Sequence, residues 1–238
     1  PDGSPTAKGF GPRENTKPVG TVGTILAQKP PRENAGGKRW SKENAMKEEP
    51  YVAVNLEEAR GLLKVGEELL REYVRLLLEE NARARLVGPT DPDVIWRSHV
   101  LDCAATLPLL RGAPTLLDLG SGGGLPGMVW AACLPQSSVV LCDSIRKKTL
   151  ALERMAQALG LANVRVVPAR SEELALRERG SFAGVGTRAV AALGVVAEYA
   201  APLVARGGFA LAMKGPAWRE EAAEVGSRWH LLGFRPPE

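Results

Sequence analysis

The stretch LLDLGSGGGLPG, residues 116–127, constrains this chain more than any other. An apolar run ends in Asp118 and passes into a loop with glycines at 120, 122, 123 and 124, followed by Pro126. Glycines so close together let the backbone approach a ligand where any Cβ would collide. The helix expected after Pro126 offers free amide hydrogens to whatever the loop holds.

The chain downstream repeats this strand-and-helix unit. SVVLC, NVRVV, FAGVGT and GFALAMK read as strands. Helices are expected between them at about Arg146 to Leu159, Ser171 to Arg177 and Val190 to Ala205, with a polar helix near Trp218. Strands separated by helices of this length need parallel crossovers, which predicts a doubly wound, Rossmann-like α/β sheet. In such a sheet the ligand lies at the carboxyl ends of the strands, beside the point where strand order reverses.

Upstream, apolar residues recur at helical spacing from Leu56 to Glu80. A second helix is expected at TDPDVIW, where Thr90 or Asp91 can cap and Pro92 occupies a first-turn position needing no amide hydrogen. It carries Trp96, His99 and Asp102, and His99 and Asp102 can pair at i and i+3. Residues 1–50 contain seven Gly, seven Pro and only five of Val, Ile, Leu or Phe, too few apolar groups to offset ordering the backbone. The expected organisation is a disordered basic tail over 1–50 and one domain over 51–238. That domain has a helical lead-in at about 56–110 and a Rossmann-like core from about 114. The carboxyl end is expected to lack its closing strands, and the start at Pro1 suggests a processed chain or a fragment.

Composition excludes several functional classes. Of the net charge of +4, residues 1–50 supply +3, with nine Lys or Arg against six Asp or Glu, so a nucleic-acid surface on the body must be a local patch. Cys103, Cys133 and Cys142 lack C-x-x-C spacing and read as buried thiols, suggesting neither a disulfide framework nor a metal site. No run approaches the roughly 20 apolar residues of a membrane span.

The glycine loop by itself is ambiguous, since Gly122, Gly124 and Gly127 also satisfy the G-x-G-x-x-G of dinucleotide enzymes. Two acids narrow the choice. Asp118, two residues before the loop, would repel a pyrophosphate and pair with an ammonium group. Asp143 ends the second strand 23 residues beyond Gly120, where a carboxylate accepts from both ribose hydroxyls. An ammonium, a ribose and no phosphate describe S-adenosylmethionine.

LLDLGSGGGLPG, LCDSIRKK, PARSEE, TRAVAAL and FALAMKG, with TDPDVIWRSHVLDC upstream, resemble in order and spacing the RsmG/GidB family over roughly residues 56–216. That family methylates nitrogen seven of a guanine in bacterial small-subunit ribosomal RNA. The resemblance implies a class I methyltransferase sheet using S-adenosylmethionine. Gly120, Gly122 and Leu125 would line the methionine end, joined by Asp118 and Gly124 of the same loop; Asp143 would hold the ribose, and Ser171 and Glu172 would lie beside the adenine. Arg188 would position substrate and cofactor, and His99, Lys147, Lys148 and Lys214 would face the RNA. The sequence departs from the family's pattern at Arg85, Val87, Ser98 and Cys103.

The reaction so implied is a direct displacement. A guanine ring nitrogen with an in-plane lone pair and no proton attacks the activated methyl, and no catalytic base is required. The implied partner is small-subunit ribosomal RNA or the small subunit itself, and the enzyme is expected to be monomeric. The expected compartment is the bacterial cytoplasm, with an organelle stroma or matrix as the alternative. Three other readings stay open: a methyltransferase of another substrate, a dinucleotide-dependent oxidoreductase, and a degenerate ribosome-associated binding module.

Overall fold

The computed structural model describes residues 23–28, 55–88 and 90–235. Its centre is a six-stranded sheet. In chain order the strands are β1 (Gly23–Gln28), β2 (Thr115–Leu119), β3 (Ser138–Asp143), β4 (Val164–Pro168), β5 (Phe182–Arg188) and β6 (Val204–Lys214). The spatial order is β1-β6-β5-β2-β3-β4. Five strands run parallel, and β1 lies antiparallel to β6. Strand order reverses between β2 and β5, so the glycine loop after β2 opens at the switch point.

Strand parity sorts the core. Leu116, Val139 and Leu141 face a layer built from α1 (Leu56–Ala84), the short helices α2 (Pro92–Ile95), α3 (Leu101–Ala104) and α4 (Leu107–Leu110), α5 (Gly127–Cys133) and α6 (Arg146–Ala158). Leu117, Leu119, Val140 and Val185 face the opposite layer of α7 (Ser171–Arg177), α8 (Leu193–Ala200), α9 (Trp218–Val225) and α10 (Arg228–Leu231). Trp130 is fully buried in the first layer, and its indole donates to Thr106 Oγ1 at 3.0 Å, so a large apolar surface is buried without stranding its N–H. Burying such a side chain stabilises by about 2–3 kcal/mol.

Three expectations need correction. Gly23–Gln28 lies in the stretch read as a disordered tail but forms a strand, because β6 offers an edge whose amides and carbonyls it satisfies. The rest of residues 1–50 lies outside the described residues. Among the described residues no closing strand follows Lys214; β1 covers that edge of β6, while α10 carries Trp229 into the second core layer, joined there by Phe234 beyond it. The helix expected from Val190 to Ala205 is shorter, Leu193–Ala200, because the chain bends after β5, with Ala189 at a left-handed φ of 55° and Ala192 extended, and β6 begins at Val204.

The second lead-in helix is also not continuous. Asp91 caps it as expected, accepting from Asp93 N at 2.8 Å and Val94 N at 3.2 Å. Trp96–Val100 then widens into a π-helix, in which Leu101 N reaches back to Trp96 O. Arg71 of α1 stacks over the Trp96 ring at 4.5 Å and holds this segment against the domain. Among the described residues no helix is long and apolar enough to cross a membrane.

Candidate active site

The loop after β2 is tied down largely by its own backbone. Gly120 N and Ser121 N donate to Cys142 O at 2.8 and 3.0 Å, and Gly122 N donates to Asp143 Oδ2 at 2.9 Å. The other Asp143 oxygen accepts from Ile145 N at 2.8 Å, so one carboxylate braces the turns after both central strands. Tyr73 of α1, fully buried, donates its hydroxyl to Gly123 O at 2.8 Å. In the sequence Tyr73 falls within the apolar stripe between Leu56 and Glu80, and the signal for its role is its phenol, which needs a partner when buried. Burial raises this phenol well above its ordinary range.

Alternation along β2 aims Asp118 at the α5 side, beneath the loop. Asp118 Oδ2 accepts from Gly127 N at 2.9 Å, at the start of α5. A Cβ on Gly127 would stand 2.8 Å from that oxygen, which is why the helix can begin so close to the acid. Asp118 Oδ1 is buried and has no hydrogen-bond partner. Burial pushes this carboxyl up to about 7, against the opposing pull of the Gly127 amide, the Ser121 hydroxyl and the Arg188 guanidinium.

A cleft of about 290 Å³ opens at the carboxyl ends of the central strands. Gly120, Asp143, Lys148, Ser171 and Glu172 line it, together with Val190 and Tyr199, which sequence reasoning did not single out. Val190 Cγ2 would stand only 2.7 Å from a Cβ on Gly120, and Gly120 has φ +78°. Both facts require glycine there. The next residue after Arg188, Ala189, also adopts a left-handed φ of 55°, at a cost of about 1 kcal/mol. Lys214 ties down the segment that follows. Its Nζ lies 2.8 Å from Ala191 O and 2.7 Å from Glu221 Oε2, and Glu221 Oε2 also accepts from Leu193 N at 2.7 Å.

The other residues singled out from sequence lie around this cleft rather than in it. Leu125 is packed in the core, and Gly122 and Gly124 shape the loop behind the cleft. Lys147 is exposed on the first turn of α6. Lys214, expected to face RNA, is largely buried and committed to Glu221 and Ala191. Arg188 leaves the end of β5 toward the lead-in helices, where its Nη1 lies 3.7 Å from Cys103 Sγ. The pair expected between His99 and Asp102 does not form; His99 Nδ1 instead donates to Ser98 O at 2.8 Å, because the π-helix alters the i, i+3 facing.

Among the departures, Arg85 ends α1 with a left-handed φ of 51° and Val87 is half-buried. Ser98 is exposed, and Cys103 is the buried partner of Arg188. All three cysteines are buried, and burial pushes each thiol up to about 12.

The arrangement suits S-adenosylmethionine on two counts. A buried carboxylate oxygen without a partner beneath the loop fits an ammonium group, and an acid at the end of β3 fits a ribose.

The family described as GidB, rRNA small subunit methyltransferase G, matches residues 66–237. A ribosomal RNA small subunit methyltransferase G from Rubrobacter xylanophilus is 45% identical over 151 residues, 62% of this chain and 58% of that protein's length. One from Salinispora arenicola is 37% identical over 185 residues, 76% of each chain. Among solved structures, a methyltransferase from Geobacter sulfurreducens is similar with a TM-score of 0.43 at 19% identity, over 58% of this chain and 68% of that one. With nearly all of the loop, sheet and lead-in helices inside the matched span, this chain belongs to the GidB family, rRNA small subunit methyltransferase G.

Proposed function

We propose that the chain transfers the methyl group of S-adenosylmethionine to nitrogen seven of a guanine in small-subunit ribosomal RNA, in the bacterial cytoplasm. The observation that carries this reading is the pair of acids on either side of the glycine loop. Asp118 has its free oxygen beneath the loop, and Asp143 lines the cleft beyond it. When bound, the cofactor supplies a methyl group on a positively charged sulfur. Asp118 would hold its ammonium and Asp143 its ribose. Gly120, Gly122, Gly124 and Leu125 would shape the bed for the methionine end, and Ser171 and Glu172 would flank the adenine.

The chain's own part in the reaction is placement. Guanine nitrogen seven has an in-plane lone pair and no proton to lose, so the protein need only bring it into line and exclude water, an effect that can supply several kcal/mol. Both Asp143 oxygens accept from backbone amides, and Asp118 is buried beneath the loop with one oxygen on the Gly127 amide, so these acids hold the loop and the displacement asks no proton of them. Arg188 and His99 stand on the lead-in side of the loop, where a base flipped out of RNA would enter. Lys147 would meet phosphate at the rim.

The test is transfer of labelled methyl from S-adenosylmethionine to unmethylated small subunits, to their naked RNA and to an RNA-free control, with mapping of 7-methylguanosine. Label at one guanine is the expected result. Bound S-adenosylhomocysteine without label on any RNA would overturn the substrate half of the reading.

A further inference from the structure

Asp102 stands apart from the other acids of the domain. It lies on α3 directly after the π-helix, one residue before Cys103, and Cys103 Sγ meets Arg188 Nη1 at 3.7 Å. Its side chain is half-buried, yet it has no hydrogen-bond or ion-pair partner among the described residues. Every other buried or half-buried carboxylate among them has a donor or a cationic partner, as Glu80 has Arg154, Asp143 has Gly122 and Glu221 has Lys214. A carboxylate partly withdrawn from water without donors is unfavourable. Desolvation accordingly raises this carboxyl, and the Arg188 guanidinium opposes the rise. His99 faces the same neighbourhood, held down first by burial and then by the charge of Arg188, so it adds no second cation for Asp102.

This acid sits on the lead-in side of the glycine loop, away from the cleft lined by Gly120, Asp143 and Ser171. Guanine is the RNA base whose pairing edge carries two adjacent donors, the ring N1–H and the N2 amino group. A carboxylate is the side chain that accepts both at once. Nitrogen seven lies on the far side of the bicyclic ring from that edge. A guanine gripped from the lead-in side therefore turns nitrogen seven toward the loop.

Resting on the methyl-transfer reading above, we propose that Asp102 is the residue that selects guanine, accepting hydrogen bonds from N1–H and the N2 amino group. Adenine, cytosine and uracil cannot offer both donors to it.

The test compares guanosine with inosine, which keeps nitrogen seven and N1–H but lacks the N2 amino group. Small-subunit RNA is assembled by ligation with either nucleoside at the methylated position. The kcat/KM for methyl transfer is then measured for the full chain and for its Asp102→Ala and Asp102→Asn variants, with binding of S-adenosylhomocysteine verifying that each is folded. The expected result is a preference of the wild-type chain for guanosine of at least about tenfold, the loss of one charge-assisted bond. In Asp102→Ala that preference falls below about threefold. The near-isosteric Asn, which presents an NH₂ where the base also donates, loses rate on guanosine as Ala does. An undiminished guanosine preference in Asp102→Ala would overturn the assignment while leaving the methyl-transfer reading intact. Absence of transfer by the wild-type chain to guanosine would overturn that reading and the assignment with it.

Discussion

Lys214 and Glu221 form a partly buried ion pair, Nζ to Oε2 2.7 Å, that closes the end of β6 onto the segment between Arg188 and Leu193. The same ammonium donates to Ala191 O and the same carboxylate accepts from Leu193 N, so four groups fix the loop that carries Val190 against Gly120. Burial alone would raise the Glu221 carboxyl, but Lys214 and the Leu193 amide outweigh it and hold it below its ordinary value.

We predict that Lys214→Met releases this loop. The affinity for S-adenosylhomocysteine should fall by about tenfold, as expected for loss of one charged hydrogen bond at the site wall. The KM for RNA should change much less. A selective rise in RNA KM with unchanged cofactor affinity, measured by calorimetry and steady-state kinetics, would return Lys214 to the RNA surface. For Glu221 itself the sign is the usual one for a depressed acid: its stabilisation is present above the unfolded pKa and is lost as pH falls through the lower folded value.

Asp118 works in the opposite sense. Its folded pKa, about 7, lies above the unfolded value, so the folded chain binds more protons between the two, and stability falls as pH rises through that window and levels off above about 7. A cationic ammonium favours the ionised form. Affinity for S-adenosylhomocysteine should therefore drop as pH falls below about 7, approaching tenfold per unit. Asp118→Asn should bind weakly and with a flat profile across the same range. A wild-type profile equally flat between pH 5 and 8 would mean that the ammonium does not meet this carboxylate.

Gly120→Ala meets two obstacles, the Val190 Cγ2 atom 2.7 Å from the new Cβ and a φ of +78°. It should lose about 1–2 kcal/mol of stability and most cofactor affinity. Adding Val190→Ala removes the contact but not the backbone strain, so partial recovery of both is expected. Full recovery in thermal melts would assign the whole effect to the side-chain clash, and none would assign it to the backbone.

Glu80 fastens α1 to α6. Its largely buried carboxylate accepts from Arg154 Nε at 3.0 Å and Nη2 at 2.5 Å, and from Arg83 at 3.3 Å. Those arginines hold the carboxyl below its ordinary value against the opposing effect of burial. Arg154→Met leaves a buried charge with one weak partner and should cost about 2–3 kcal/mol in urea unfolding at pH 7. The cost should shrink in acid as Glu80 protonates, and equal loss at both pH values would exclude the ion pair as its cause.

The sheet was legible because its signals are local. The glycine loop, the apolar strand runs and the Asp91–Pro92 start each depend on neighbours a few residues away. Interactions over long sequence separations were not legible. That β1 covers the edge of β6 depends on pairing two segments about 190 residues apart, and no periodicity encodes a partner. Tyr73 reaching Gly123 and Cys103 reaching Arg188 are of the same kind.

By itself the sequence determined the fold class, the position of the loop and the two acids that narrow its ligand, because propensity, glycine stereochemistry and charge belong to residues wherever they are placed. Only the tertiary structure decided which side chains are left without partners. Lys214 looks from sequence like a free surface cation and is the anchor of a loop wall, while Asp102 looks like one half of a helical pair and is the half-buried acid with no donor. Burial and hydrogen-bond satisfaction are properties of surroundings, and the surroundings are assembled from segments the sequence keeps far apart.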